Sequence, residues 1–334
     1  MNVAMWGKAL RVVPRITREE WDELDIVSRW LIATRSAVFI ITALSCGIAG
    51  LLAVRDGTFQ AAPFIAMTFG LIMAHATNNL LNDLTDHWKG VDKGNYFRSQ
   101  YGPQPLEHGL LTVKQLLVYA GVTGLVAIAA GAWLVALRGT LALELMAAGA
   151  FFVLFYTWPL KYIGLGEVAV LAVWGPLMVG GGYFVTTGHW SWPVAVASMP
   201  YALGATTILF GKHIDKFDAD KAKGIRTLPV LLGEKGARMA VIGMAAAMYL
   251  FVAVLVITRI FSPALLVVFL ALPTLKLLAR AFNNERPKEA HPDLPPGIWP
   301  LWFVAFAFLH NRNFGVLFIL GLIADVMWHR FGVS

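Results

Sequence analysis

The chain has 334 residues, 58% of them hydrophobic and only 14% charged, with a formal net charge of +7. A soluble domain of this size carries roughly a quarter charged residues, so that class is excluded. The excess of Lys and Arg is read as charge collected in the cytoplasmic loops of a membrane protein, and no nucleic-acid partner is expected.

Residues 1–28 open the chain (MNVAMWGKALRVVPRITREEWDELD and on). They are amphipathic and mixed in charge. They lack an apolar core before a cleavage site, so a cytoplasmic segment lying along the membrane surface is expected rather than a signal peptide. Residues 29–334 are expected to form a single transmembrane domain. Apolar runs of about 20 residues recur through it, which makes the fold class all-α, a polytopic transmembrane helical bundle. Short alternating segments of the barrel kind are not seen.

About nine spans are expected, at 29–54, 60–82, 113–137, 140–158, 167–187, 192–213, 237–258, 261–282 and 311–329. Trp299–His310 is apolar but short, with Pro295, Pro296 and Pro300 around its start and Asn311-Arg312-Asn313 after it. It reads either as a half-helix or as a tenth span. Cys46, the single cysteine, lies in an apolar run, so no intrachain disulfide can form.

Lys and Arg concentrate in the N-terminal segment and in the 83–112, 159–166, 214–236 and 283–298 connections. The intervening turns, near Arg55, Arg138, His189 and Arg259, are short. Positive-inside counting therefore puts the N-terminus and the long polar loops on the cytoplasmic side of a cell (inner or plasma) membrane. Both acidic motifs fall on that face. A cation-coupled transporter keeps its key polar residues nearer mid-membrane, so that reading ranks lower.

The first motif, Asn78–Asp92, reads NNLLNDLTDHWKGVD. On a helix Asn78, Asn79, Asn82, Asp83 and Asp86 share one polar stripe of about 140°. Like charges crowded at a membrane edge call for a cation, and Mg²⁺ carrying a diphosphate fits hard oxygen ligands. Gly90 allows a turn that lets Asp92 fold back. The plainer reading is a solvated, polar helix end.

The second motif, Gly211–Lys221, reads GKHIDKFDADK. On one continuous helix Lys212, His213, Lys216 and Asp220 share an arc of about 100°. The basic groups suit a diphosphate and Asp220 suits a metal, although an ordinary charged helix start is the alternative. A third stretch, Tyr156–Glu167 (YTWPLKYIGLGE), offers Lys161 for phosphate and Tyr156 for an apolar cleft, or merely an aromatic belt. His75, Glu144 and His310 are isolated polar residues in apolar runs, functional candidates by default. His75, one turn before the Asn stripe, is placed to touch an acceptor. Glu144 reads as interfacial. Gly180-Gly181-Gly182 reads as close helix packing or a break.

These three stretches, in this order, resemble the UbiA superfamily of membrane prenyltransferases. Asn82-Asp83-Leu84-Thr85-Asp86 looks like that family's NDxxDxxxD motif, with Gly90 where many members carry the third Asp. Asp92, YTWPLKYIGLGE and GIRTLPVLLG are similar to the 1,4-dihydroxy-2-naphthoate polyprenyltransferase branch. The second motif departs from the branch's N-N-x-R-D-x-x-x-D, since Lys212, His213, Asp215 and Lys216 replace its first members and only Asp220 is kept.

The resemblance implies a central cavity under cytoplasmic cap loops. It implies transfer of a polyprenyl group from a prenyl diphosphate to an aromatic acceptor, in menaquinone or related lipoquinone synthesis, with Mg²⁺ as cofactor and membrane lipid around it. Acceptors of other kinds (a chlorin, a sugar phosphate, a glycerol phosphate lipid) stay open. The implied metal ligands are Asp83, Asp86 and Asp220, with Asn82, Asp92 and Asp215 in support. Lys161, Lys212, Lys216 and His213 are expected at the diphosphate, with Asn78, Asn82 and Arg35 beside it and Tyr156 flanking the allylic cation.

Overall fold

A computed structural model describes residues 2–91, 102–289 and 299–331. Every regular element among them is helical. Among the described residues eight helices are long and apolar enough to cross a membrane: Ser36–Arg55, Ala61–Trp88, Val113–Arg138, Gly166–Thr187, Trp192–Asp215, Leu228–Ile257, Pro263–Asn283 and Trp302–Arg330. The remaining expected span, at 140–158, is the shorter apolar helix Thr140–Phe155. Its 16 residues reach about 24 Å, less than a hydrocarbon core of about 30 Å.

The chain forms two compact units. The first comprises Met1–Leu44 and Ile65–Pro159, and the second Ser45–Phe64 and Leu160–Ser334.

The first unit begins with three short helices, α1 (Val3–Arg11), α2 (Arg18–Asp22) and α3 (Ile26–Ala33). Each starts at a residue whose side chain accepts the orphan N–H groups of the first turn: Asn2, Thr17 and Asp25. Thr17 and Glu20 complete a capping box. The expected first span, 29–54, is broken at Arg35, whose backbone is left-handed at φ 54° and ψ 50°. The chain restarts there as a 3₁₀ turn, Ser36–Val38, leading into α4 (Phe39–Arg55).

α5 (Ala61–Trp88) runs unbroken and carries the first motif from Asn78 to Trp88. α6 (Val113–Arg138) starts at a Thr112–Gln115 capping box, and α7 (Thr140–Phe155) follows it across Gly139. Ala9, Trp21, Leu31 and Ile32 of the N-terminal helices bury themselves with Leu80, Leu84, Leu116 and Ala120 of α5 and α6. The amphipathic N-terminal segment thus buries part of its apolar face in the protein's own core, while Val3, Leu10, Val12 and Ile26 stay exposed.

The second unit contains α8 (Gly166–Ala172), a π-helical stretch (Val173–Gly180) around Pro176, and α9 (Gly181–Thr187). The Gly180-Gly181-Gly182 run marks the return from π to α geometry, and Gly180 also packs against Ala195. α10 (Trp192–Ala197), α11 (Met199–Asp215), α12 (Phe217–Ala222), α13 (Leu228–Ile257), α14 (Leu272–Asn283) and α15 (Trp302–Phe331) complete it. Its core joins Phe210, Ile214, Val241, Ala245, Leu278, Phe282, Phe303 and Ala307.

Two expectations change here. The short apolar stretch at 299–310 is neither a half-helix nor a separate span. From Trp302 onward it forms the first turns of α15, one uninterrupted 30-residue helix. The second motif does not lie on one continuous helix either: Lys216 leaves helical geometry at φ −105° and ψ 13°, dividing α11 from α12.

Candidate active site

In the first unit, the stripe on α5 meets the ends of other helices. Asn79 Nδ2 donates to the carbonyl of Thr34, the last residue of the α3 turn, at 2.8 Å. Asn78 Nδ2 donates to Val153 O, near the end of α7, at 3.0 Å. Helix C-termini leave carbonyls without intrahelical donors, and these two amides supply them. Asn82 Nδ2 donates to Thr157 Oγ1 at 2.9 Å, so only its Oδ1 can serve a cation.

Asp83 and Asp86, one turn apart on this helix, are each 3% exposed. The Arg35 guanidinium holds Asp83 Oδ1 at 3.0 Å and also donates to Asn79 O at 2.9 Å. The spacing of the acids was legible in the sequence, but the Arg35 partnership was not. α5 ends at Trp88, and the turn expected at Gly90 follows it: Gly90 takes φ +65° and Val91 N–H returns to Asp86 O at 2.9 Å. Asp92 lies outside the described residues.

His75 engages Thr42 Oγ1 at 2.8 Å and packs on the Phe39 ring at 5.3 Å. Tyr156 is half-buried at the end of α7, and the Lys89 ammonium sits 5.1 Å above the neighbouring Trp158 ring.

In the second unit, Lys216 Nζ donates to Asp220 Oδ1 at 3.0 Å, and both residues are buried. The i, i+4 relation survives the break because Lys216 O also accepts Asp220 N–H at 2.9 Å in the first turn of α12. Asp220 Oδ2 is buried without a hydrogen-bond partner among the described residues. Lys161 is buried on the short 3₁₀ turn Leu160–Ile163, and Lys212 is half-buried on α11.

His213 and Asp215 have other engagements. His213 Nδ1 lies 2.6 Å from Glu167 Oε1, with both side chains closed to solvent. Glu167 Oε2 also accepts Leu228 N–H, the start of α13, at 3.2 Å. Asp215 turns both oxygens to the start of α15, accepting Phe303 N–H and Val304 N–H at 3.0 Å each. It is a helix cap supplied from a distance, with one N–H already on each oxygen. Glu167 closes the Tyr156–Glu167 stretch, where the sequence alone assigned it no role; its signal was an acid placed at the first turn of an apolar span.

Among the described residues no three His, Cys, Asp or Glu side chains gather as a metal cluster. Mg²⁺ does not require one, since it is held by one or two carboxylates with substrate phosphate oxygens and water. Buried carboxylates of the kind such an ion uses are present in each unit: Asp83 and Asp86 in the first, and in the second Asp220, whose Oδ2 has no hydrogen-bond partner among the described residues.

A family model described as the UbiA prenyltransferase family matches residues 43–294. The chain belongs to this family. As a UbiA-family protein it is a membrane prenyltransferase, and its fold agrees with that membership. It is 30% identical over 234 residues to 1,4-dihydroxy-2-naphthoate octaprenyltransferase of Bacillus subtilis (strain 168), covering 67% of this chain and 72% of that one. The apo structure of a UbiA homolog from Aeropyrum pernix K1 superposes with a TM-score of 0.59 at 20% identity, over 85% of this chain and 97% of the other. A UbiA homolog from Archaeoglobus fulgidus bound to GPP and Mg²⁺ gives 0.52 at 14% identity, over 84% and 97%. The helices α1 to α3, and Arg35, precede the range that the family model matches in this prenyltransferase.

Proposed function

We propose that this enzyme transfers a polyprenyl group from a prenyl diphosphate to an aromatic acceptor of the dihydroxynaphthoate kind, in menaquinone or a related lipoquinone synthesis. The observation that carries the reading is the pair of buried carboxylates, Asp83 and Asp86, one turn apart at the end of α5. Arg35 offsets one charge at Asp83, and a second carboxylate one turn away at the end of an apolar span makes the place suited to a further cation. The name of the Bacillus relative supports the acceptor class, and the GPP and Mg²⁺ in the Archaeoglobus homologue support the donor and the ion.

In this reading Asp83 and Asp86 would hold Mg²⁺ with Asn82 in support, and Asp220 is the further ligand that the family resemblance implies. When bound, the ion neutralises the diphosphate as it leaves. The bond between the prenyl C1 and the diphosphate oxygen breaks, and its electron pair departs with the diphosphate. Lys161, Lys212 and Lys216 stabilise that developing charge. Tyr156 offers a ring face to the allylic carbon. The electron-rich ring carbon of the acceptor then forms the new C–C bond and loses its proton to restore aromaticity. The distribution of Lys and Arg supports a cytoplasmic N-terminus and a cytoplasmic site.

The test is a membrane assay with Mg²⁺, prenyl diphosphates of several lengths and a panel of aromatic and non-aromatic acceptors. Prenylated naphthoate from the wild type, lost in Asp83→Asn and in Asp86→Asn, is the expected result. Transfer only to a chlorin or a glycerol phosphate lipid would overturn the acceptor class. Full activity in both Asn variants would overturn the metal assignment.

A further inference from the structure

Arg35 grips Asp83 from a backbone conformation that ordinary L residues avoid, at φ 54° and ψ 50°. Such a residue stays there only when its surroundings over-determine it. On one side the surroundings are α5: Asn79 Nδ2 donates to Thr34 O, and the Arg35 guanidinium donates to Asn79 O. On the other side they are α1. The Ser36 hydroxyl, buried, donates to Ala9 O at 3.0 Å.

α1 has a second anchorage. Asn2 N–H donates to Asp25 Oδ2 at 2.7 Å, and the Trp6 indole N–H donates to Asp25 Oδ1 at 3.1 Å. Asp25 is also the cap of α3, accepting Val27 N–H and Ser28 N–H. So α1 is fastened to α3 before its first residue and again just past its last. α3 has eight residues, fewer than a helix needs to persist by itself in water. The two anchorages fix both its ends, and with them the place where the left-handed turn occurs.

We propose that α1 is a splint for the active site: by holding the Arg35–Ser36 turn it sets the Asp83 carboxylate for the metal. Ala9, Trp6 and Ser36 are positioning residues in this scheme and touch no substrate. The chain of contacts runs from Ala9 O to Ser36, to the Arg35 guanidinium, to Asp83 Oδ1. Releasing the first lets the turn relax, and the carboxylate loses the grip on its oxygen. The inference rests on the reading of Asp83 as a magnesium ligand.

The test uses the full-length enzyme in detergent, with Ser36→Ala to remove the hydroxyl and Trp6→Phe to remove the indole N–H. Hydrogen exchange of residues 3–11 and 34–39 reports the splint. Binding of Mn²⁺ in the presence of inorganic pyrophosphate, followed by EPR, reports the metal site without turnover. Both variants are expected to exchange faster in those two segments and to bind Mn²⁺ about fivefold more weakly, the equilibrium worth of one hydrogen bond. Faster exchange with unchanged Mn²⁺ affinity makes the contact merely structural and overturns the proposal. Unchanged exchange overturns it as well. Asp83→Asn is the control for the premise. If it binds Mn²⁺ as well as wild type, the ligand assignment falls and takes the splint's purpose with it, whereas a weakened Asp83→Asn beside an unaffected Ser36→Ala overturns the splint alone.

Discussion

Arg35 Nη2 lies 3.0 Å from Asp83 Oδ1, and the two side chains are only 11% and 3% exposed. Each neutralises the other where solvent cannot. Removing one partner of such a pair leaves a buried charge and costs about 3–5 kcal/mol. Arg35→Gln should therefore lower the melting temperature of the detergent-solubilised enzyme sharply. Adding Asp83→Asn to it should recover at least half of that loss, because the stranded carboxylate is gone. Prenyl transfer should stay absent in the double variant. A double variant no more stable than Arg35→Gln would show that the pair is not the contact being lost.

Asp25 ties α1 to α3, and its titration makes that tie pH-dependent in one direction. Partial desolvation pulls its carboxyl upward, but the N–H groups of Asn2 and Ser28, the Ser28 hydroxyl and the Trp6 indole outweigh this and hold it well below the usual carboxylate range. A group with a depressed folded pKa contributes stability above its unfolded value, near 3.9, and loses it as pH falls through the folded one. The difference in melting temperature between wild type and Asp25→Asn should stay constant from pH 8 to about 5 and shrink below about 4. A difference that instead changes between pH 6 and 8 would assign the effect to another group.

The spans were legible in the sequence because an apolar run of about 20 residues is a local property. The spacing of Asp83 and Asp86 was legible for the same reason, since one turn of α5 carries both. What could not be read depends on partners far along the chain. Asn78 and Asn79 announce a polar stripe, but nothing near them says that their amides finish α7 and α3. The break at Arg35 interrupts an apolar run without a Gly or Pro to mark it. The opposite error arose in α15, where His310-Asn311-Arg312-Asn313 looked like a helix end. His310 Nε2 pairs there with Tyr249 OH at 3.0 Å, and Asn313 Nδ2 donates to Leu309 O at 2.9 Å, and the helix continues through them.

Glu167 joins α8 to α11 and α13 by accepting from His213 Nδ1 and from Leu228 N–H. A Gln in its place has one acceptor oxygen for two donors, and its NH₂ adds a donor where an acceptor was needed. Glu167→Gln should therefore lose about 1–3 kcal/mol of stability, read as a fall in melting temperature and in folded yield. The Mg²⁺ concentration for half-maximal activity in the surviving enzyme should match wild type. A raised Mg²⁺ requirement with unchanged stability would move Glu167 from scaffold to metal site.

Asp215 and Gly211 together dock the start of α15 on α11. A Cβ at Gly211 would stand 2.8 Å from Val304 Cα, so only glycine permits the approach that brings Phe303 and Val304 N–H onto the Asp215 carboxylate one turn later. Asn keeps one of the two acceptor oxygens and Ala neither, and losing a cap costs about 0.5–2 kcal/mol. Asp215→Asn should thus lower the melting temperature less than Asp215→Ala and keep activity and Mg²⁺ dependence, while Gly211→Ala should also lower the melting temperature. The comparison separates cap from ligand, because Asp86→Asn, which keeps shape but loses charge in the same way, should abolish the Mg²⁺-dependent reaction. If Asp215→Asn lost Mg²⁺-dependent activity to the same degree as Asp86→Asn, the capping role would not account for Asp215, and the carboxylate would have to be returned to the metal.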